Sequence, residues 1–328
     1  MKKTLWVLLD DRRGSVGQAK GIIEALGDRV EIVEKQVIYT KFASLPNWIR
    51  GRTLIGVNSE KTDNISSPYP NMILSTSRRT LPIARHIRKR SKNTSKIVQL
   101  MYPSEGIGLK DIEFFVVPSH DNKAKQNHPK AFVITGAPTK IFKEKISGVT
   151  KQWEDVFSSL PKPWISVIVG GAIKGKPWPE EEAKELLCHI KNIQEKIGGS
   201  VLITTSRRTG EIPQNIIMEG LKDIPKYTYI WGEKKENPIM GFYACADIII
   251  ATADSVSMCS EACGTGHPVL LYKGLNWLPQ KHINFALNLI EGGYAQDICA
   301  PDALLFRPKR TLNSAMQIAQ KILESIEY

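Results

Sequence analysis

Residues Asp247–Tyr272 read DIIIATADSVSMCSEACGTGHPVLLY. The first apolar run has no polar alternation, which marks a strand buried on both faces. It stops at Thr252. Asp254 or Ser255 then opens a short helix whose first turn is rich in small hydroxyl residues. Gly264 and Gly266 end that helix, and a second buried strand begins at Pro268. Strand, helix and strand joined this tightly require a parallel sheet with a crossover helix.

The same alternation extends outward in both directions. In the second half, strands are predicted at Trp164–Gly171, Ser200–Thr205, Tyr227–Gly232 and Pro268–Lys273, with helices at Pro179–Gly198 and Pro213–Leu221. The first half predicts strands at Thr4–Leu9, Val30–Lys35, Asn71–Thr76, Lys96–Met101, Glu113–Pro118 and Ala131–Gly136. Its helices are expected at Gln18–Leu26 and from Pro82 to about Lys89. The fold class is therefore α/β, with two Rossmann-like domains. The expected boundaries are 1–150, 151–310, and a helical tail 311–328 that could belong to either domain, packing back on the first being one option.

The chain has 328 residues, 42% hydrophobic and 24% charged, with a formal net charge of +12. That is enough apolar material for two cores, and the charge favours anionic partners. No apolar stretch is long enough to span a bilayer. The opening MKKTLWVLLDDRRG loses its apolar character after Leu9 and reads as a strand rather than a secretory leader. The expectation is a cytoplasmic chain that visits the inner face of a membrane. The five cysteines form no Cys-x-x-Cys, so neither a disulfide framework nor a metal site is expected; Cys259 and Cys263 read as packed thiols.

Several loops at predicted strand ends carry candidate chemistry. The hexapeptides STSRRT (Ser75–Thr80) and TTSRRT (Thr204–Thr209) each follow a buried strand. Arginine offers a bidentate fork for phosphate, and Arg78 and Arg207 are chosen as the members that face a ligand. Thr80 and Thr209 are expected to cap the following helices. In DDRRGSVGQAKG (Asp10–Gly21), Gly14 and Gly17 suit a tight turn against a ligand, and Asp10 or Asp11 could serve as a base. GGAIKGKPW (Gly170–Trp178) places Lys174 on a loop suited to a diphosphate. The helix opening at Ser255 offers free N–H groups with Ser255 and Ser257, and Glu261 could accept both hydroxyls of a ribose. VVPSHD (Val116–Asp121) puts His120 at a strand end, where it could act as a base. The basic run Arg85–Lys96 reads as a solvated helix face that could also rest on anionic lipid. It lacks aromatic residues, and no nucleic-acid motif accompanies it.

Taken in order, these motifs resemble one family. The marks are Asp11-x-Arg13-Gly14 with Gln18, the first Ser-Arg-Arg, Pro118-Ser-His-Asp, Gly170-Gly-x-x-Lys174 with Trp178, TTSRRT, Asn237-Pro238, and TADSVSMxSEAxxTGxPV. The family contains the plant mitochondrial-fission protein named for elongated mitochondria and bacterial relatives regarded as glycosyltransferases. The resemblance covers nearly the whole chain and implies a GT-B-like scaffold, two Rossmann-like domains facing a cleft, whose second domain binds a nucleotide sugar, UDP-linked by preference, with no tightly bound cofactor. By that resemblance Glu261 takes the ribose, and Ser255, Ser257, Ser206, Arg207 and Lys174 surround the phosphates. Arg13, Gly14, Gln18 and Arg78 fall on the acceptor side, with Asp11 or His120 as base. Ser15 stands where relatives often carry histidine. The implied activity is glycosyl transfer to an envelope or lipid-linked acceptor. The alternatives are a non-catalytic peripheral membrane protein or a nucleotide-sugar epimerase.

Overall fold

A computed structural model describes residues 2–103 and 107–327; the side chains of Arg13 and Glu144 lie outside the described set. The chain divides into two compact units, Met1–Lys140 with Asn313–Tyr328, and Ile141–Leu312. The first unit holds β1 (Thr4–Leu9), α1 (Arg13–Leu26), β2 (Glu31–Gln36), α2 (Asn47–Arg50), β3 (Met72–Ser75), α3 (Leu81–Arg90), β4 (Lys96–Gln99), β5 (Phe114–Pro118), α4 (Lys123–Gln126) and β6 (Ala131–Ile134). The second holds α5 (Lys143–Ser147), α6 (Thr150–Phe157), β7 (Trp164–Ile168), α7 (Glu180–Ile197), β8 (Ser200–Thr204), α8 (Glu211–Gly220) and β9 (Lys226–Tyr229). It continues with α9 (Ile239–Cys245), β10 (Ile248–Thr252), α10 (Val256–Gly264), β11 (Val269–Tyr272), α11 (Gln280–Glu291) and β12 (Gln296–Asp297). Helix α12 (Ser314–Glu327) returns to the first unit.

Each unit is built on a six-stranded sheet whose paired strands all run parallel. The orders differ. The first sheet runs β2-β1-β3-β4-β5-β6 and the second β12-β11-β10-β7-β8-β9. Strand order therefore reverses between β1 and β3 in one unit and between β7 and β10 in the other. Ligands of open α/β sheets bind outside the carboxyl ends of strands at such points.

Both faces of each sheet are covered, and the alternation of side chains along a strand decides which core each residue joins. On β1, Leu5, Val7 and Leu9 pack with Ala19, Ile22 and Leu26 of α1 and with Ala315, Ile318, Ala319 and Ile322 of α12. Trp6 and Leu8 point the other way, toward Ile83, Ala84 and Ile87 of α3. The α12 residues recur at helical spacing, and each Ile or Leu fully buried this way contributes about 1.5–3 kcal/mol. Among the described residues, no helix is long and apolar enough to cross a membrane.

Two local expectations are corrected, and one short strand goes unannounced. Helix α1 starts at Arg13 rather than Gln18, so Gly14 and Gly17 are helical residues with open space around them, not turn formers. Strand β12 is two residues, Gln296 and Asp297, with no apolar run to announce it. The basic run is largely structural. Buried Arg85 pairs with Asp111 at 2.7 Å, and Arg88 donates to the Ser95 carbonyl at 2.6 Å. Lys89, Arg90 and Lys92 remain as its exposed cations.

Gly21 illustrates how tightly α1 is seated. A Cβ there would lie 2.6 Å from the Thr139 carbonyl oxygen, which is backbone and cannot step aside. Alanine would gain about 1 kcal/mol of helix propensity. Overpacking costs about 1–3 kcal/mol and wins. Gly21→Ala is expected to lower the urea midpoint, and an unchanged midpoint would show that the contact yields.

Candidate functional site

The second unit's reversal point is organised by one carboxylate. Asp254 is buried just past β10. Its oxygens accept from the Thr252 hydroxyl at 2.6 Å, the Gly171 amide at 3.0 Å and the Arg208 guanidinium at 2.8 Å. Thr252 in turn accepts from the Gly170 amide at 2.7 Å. One side chain thus ties together the loops after β7, β8 and β10. Burial pushes its carboxyl above the ordinary aspartate value, against the opposing pull of Thr252, Arg208 and Gly171. Gly171 is needed where it stands: a Cβ would lie 2.0 Å from the Arg208 carbonyl oxygen.

Helix α10 begins beside this knot. The Ser255 hydroxyl accepts from the Met258 amide at 3.4 Å, as an N-cap does. Ser257 is exposed in the first turn, and among the described residues no hydrogen bond is made by the Val256 or Ser257 amides. Such open amides favour an anion. Glu261 lies one turn beyond Ser257, so the two share a helix face. Its half-buried carboxylate accepts from the Tyr243 hydroxyl of α9 at 3.1 Å. Burial lifts it to about 7, and the Tyr243 bond opposes that rise.

The Ser-Arg-Arg-Thr loop folds into a closed turn. The Ser206 amide donates to Thr209 Oγ1 at 2.9 Å, and the Arg208 amide donates to Ser206 Oγ at 3.2 Å. Both hydroxyls then donate to the Gly170 carbonyl, at 2.7 and 2.6 Å. Ser206 is therefore consumed by the turn rather than presented to phosphate. Thr209 closes the turn and does not cap α8, whose cap position is Gly210. The two arginines divide their roles. Arg208 is held inward by Asp254 and by the Ala172 carbonyl at 2.9 Å. Arg207 is exposed and makes no ion pair or hydrogen bond among the described residues. Lys174 is also exposed, at the tip of the β7 loop with a left-handed φ of 48°.

This division gives a paired prediction. Arg208→Ala strands a buried carboxylate and is expected to cost about 2 kcal/mol, a figure discounted for its partial exposure. Arg207→Ala removes nothing the fold uses and should stay within about 0.5 kcal/mol. Urea unfolding of both variants measures the difference; equal losses would reject it.

The first unit repeats the turn at its own reversal point. The Ser77 amide donates to Thr80 Oγ1 at 3.0 Å and the Arg79 amide to Ser77 Oγ at 3.2 Å. Thr80 again closes the turn and makes no side-chain cap to α3. Arg79 is the inward arginine, bound to Asp11, 3.6 Å from Asp10, and stacked 4.3 Å above the Tyr39 ring. Arg79 holds the exposed Asp11 carboxyl below the usual carboxylate range, which makes Asp11 a weak proton acceptor. Arg78, expected to face a ligand, instead donates to the Leu45 carbonyl at 3.2 Å. His120 is half-buried just after β5, Gly14 is exposed and Gln18 half-buried on α1. The Arg13 side chain lies outside the described residues.

Sequence reasoning missed two groups here. The sequence marks Asp254 only as a possible helix start, whereas it is the knot of the loops. His282, in the first turn of α11, feels the charges of Asp254, Arg208, Lys281 and Lys174, and burial lowers its pKa. Nearby, Ile173, Lys174, Lys176, Trp277 and Pro279 line a pocket of about 570 Å3. The signal available for His282 was its place after Pro279, where a helix begins.

Comparison with known proteins gives a consistent picture. The model of the family described as Mitochondrial fission ELM1 matches residues 13–326. The Mitochondrial fission protein ELM1 of Arabidopsis thaliana is 30% identical over 244 residues, covering 68% of this chain and 56% of that protein. This chain thus spans little more than half of that relative's length. Among solved structures, the UDP-GlcNAc 2-epimerase of Methanocaldococcus jannaschii superposes with a TM-score of 0.56 at 13% identity, covering 98% of this chain and 99% of that one. A glycosyltransferase of Rickettsia africae gives 0.51 at 11% identity, with 99% of each chain covered. At these identities the likeness establishes the fold, two Rossmann-like units of the GT-B type.

Proposed function

We propose, from the premise that this chain belongs to the Mitochondrial fission ELM1 family, that its second unit binds a UDP-linked sugar and that the protein transfers that sugar to an acceptor hydroxyl. The observation that carries the proposal is the open end of α10. Free amides, exposed Ser257 and the Glu261 carboxylate share one face there, and the loop cations Arg207 and Lys174 are unpaired. The amides and cations suit a diphosphate, and the carboxylate suits the two hydroxyls of a ribose. In the reaction, an acceptor oxygen loses its proton to a base and bonds to the anomeric carbon. The anomeric carbon's bond to the diphosphate oxygen breaks, and UDP leaves with the electron pair. Arg207, Lys174 and the helix end stabilise the charge that develops on it. Asp11, held below the usual carboxylate range by Arg79, and His120 are the candidate bases in the first unit.

Two alternatives are kept for specific reasons. An epimerase is among the proteins sharing the fold. A peripheral membrane role, with or without catalysis, is supported by Phe42, Trp48 and Ile49, which are exposed on one short stretch of the first unit. The deciding experiment is NMR of UDP-N-acetylglucosamine incubated with the protein and a membrane extract. Transfer with UDP release supports the proposal, and formation of the 2-epimer supports the first alternative. Absence of binding to any UDP, GDP or CMP sugar by calorimetry would remove the donor site altogether.

A further inference from the structure

The first unit buries a cation that has no counter-ion among the described residues. Arg50 ends α2, and its side chain is fully buried at 0% exposure. Its Nε donates to the Ile55 carbonyl at 2.9 Å, but neither terminal nitrogen has a hydrogen-bond partner. No carboxylate pairs with it among the described residues. Its charged neighbours are Arg78 and Arg79, which repel it; the nearby Tyr39 phenol is kept protonated and neutral by burial. Of the carboxylates in this region, Asp11 is bound by Arg79, and Asp10 lies 3.6 Å from it with Oδ2 buried and without a hydrogen bond. A buried, unpaired guanidinium costs several kcal/mol, so folds normally supply it with a counter-ion.

Other orphaned donors accompany it. The Tyr39 hydroxyl and Arg79 Nε are buried without partners. With both terminal nitrogens of Arg50, these donors outnumber what a carboxylate's two oxygens readily accept, and they suit the three oxygens of a phosphoryl group. Residues 41–55, which carry Arg50 itself, form a single turn, Lys41–Ser44, and the four-residue α2. Arg78 donates to the Leu45 carbonyl and Arg52 pairs with Asp111 to hold this stretch, while Trp48 is 64% exposed and Phe42, Ile49 and Ile55 are also exposed.

We propose that Arg50, with the Tyr39 hydroxyl and Arg79, forms a binding site for a phosphoryl group. The site lies wholly in the first unit, so it stands whether or not the second unit binds a nucleotide sugar. It predicts that a ligand or acceptor of this protein carries phosphate, either free in solution or as a lipid headgroup.

The test begins with thermal unfolding of the full chain in sodium phosphate against sodium chloride at equal ionic strength. Phosphate should raise the wild-type midpoint and slow amide exchange in residues 41–55. Arg50→Met should lose both effects and, freed of an unpaired charge, melt no lower than wild type in chloride. Tyr39→Phe should weaken phosphate affinity about tenfold, and it replaces Arg50→Met if that variant does not fold. Flotation with phosphatidylcholine vesicles, with and without phosphatidic acid, separates the sources. Arg50-dependent binding to the acidic vesicles assigns a lipid headgroup; protection by free phosphate alone assigns a soluble ligand. Either result supports the site. Equal phosphate effects in wild type and both variants, or no effect on wild type, would overturn it. UDP-sugar binding measured on the same samples reports the second unit separately.

Discussion

Asp254→Ala is expected to cost about 3–5 kcal/mol of folding stability, the range for removing one partner of a buried charge pair. The reason is not a strong Coulomb gain. Burial already holds this carboxyl above the ordinary aspartate value, so desolvation outweighs its partners. The loss comes from what is stranded: the Thr252 hydroxyl, the Gly171 amide and the Arg208 guanidinium all donate to it. A buried donor left unmet costs about 1–3 kcal/mol each, partly relieved by local movement or water. Asp254→Asn, which keeps one acceptor oxygen, should lose roughly half as much. Urea unfolding measures both. A loss under about 1 kcal/mol for alanine would mean that the three loops are held by something else.

Glu261→Gln is expected to weaken UDP-N-acetylglucosamine about 100-fold by calorimetry, since a carboxylate accepting two hydroxyls is worth about 1.5–3 kcal/mol per bond. The pH dependence has a definite sign. Burial lifts Glu261 to about 7, so near neutrality part of the free protein carries the acid form. Ribose hydroxyls require the ionised form as acceptor. Affinity should therefore rise as pH increases from 6 to 8, with protons released on binding, and Glu261→Gln should lose that dependence. Stability should move the other way. A carboxyl whose folded pKa is raised contributes fully below its unfolded value, near 4.5, and that contribution is lost as pH rises through about 7. Glu261→Gln should flatten this decline. Removing the Tyr243 bond, which lowers the carboxyl's pKa, should shift both profiles to higher pH in Tyr243→Phe. Affinity that is flat with pH in the wild type would count against a ribose contact.

Much of this architecture could be read directly because buried parallel strands are nearly pure aliphatic runs. Thr4–Leu9 and Ile248–Thr252 announce themselves in that way. Strand β12 does not, since two polar residues pair there only because β11 is already in place. The start of α1 was hidden for a different reason. Gly14 and Gly17 usually argue for a turn, yet here the helix tolerates them on an open surface. The site shows the same split. The helix end at Ser255 and the carboxylate at Glu261 follow from spacing on one element. Which arginine of a pair turns inward depends on an aspartate distant in sequence, Asp254 for Arg208 and Asp10 or Asp11 for Arg79, and neighbouring residues do not encode that. Arg50 offered no signal at all. It is one basic residue among many until its burial is known.

The two Ser-Arg-Arg-Thr turns sit after β3 in one sheet and after β8 in the other, and these strands hold different ranks in the two strand orders. Duplication of an ancestral half would have put them at matching places. The motif is better regarded as a portable clasp: its serine and threonine close the turn, and in the second unit it asks of its host a carbonyl for those hydroxyls and an acid within reach of the second guanidinium. Grafted onto the end of an unrelated parallel strand beside an aspartate, it should close in the same way. Its first arginine would then be placed by the new host, exposed as Arg207 is or bonded to a neighbouring carbonyl as Arg78 is.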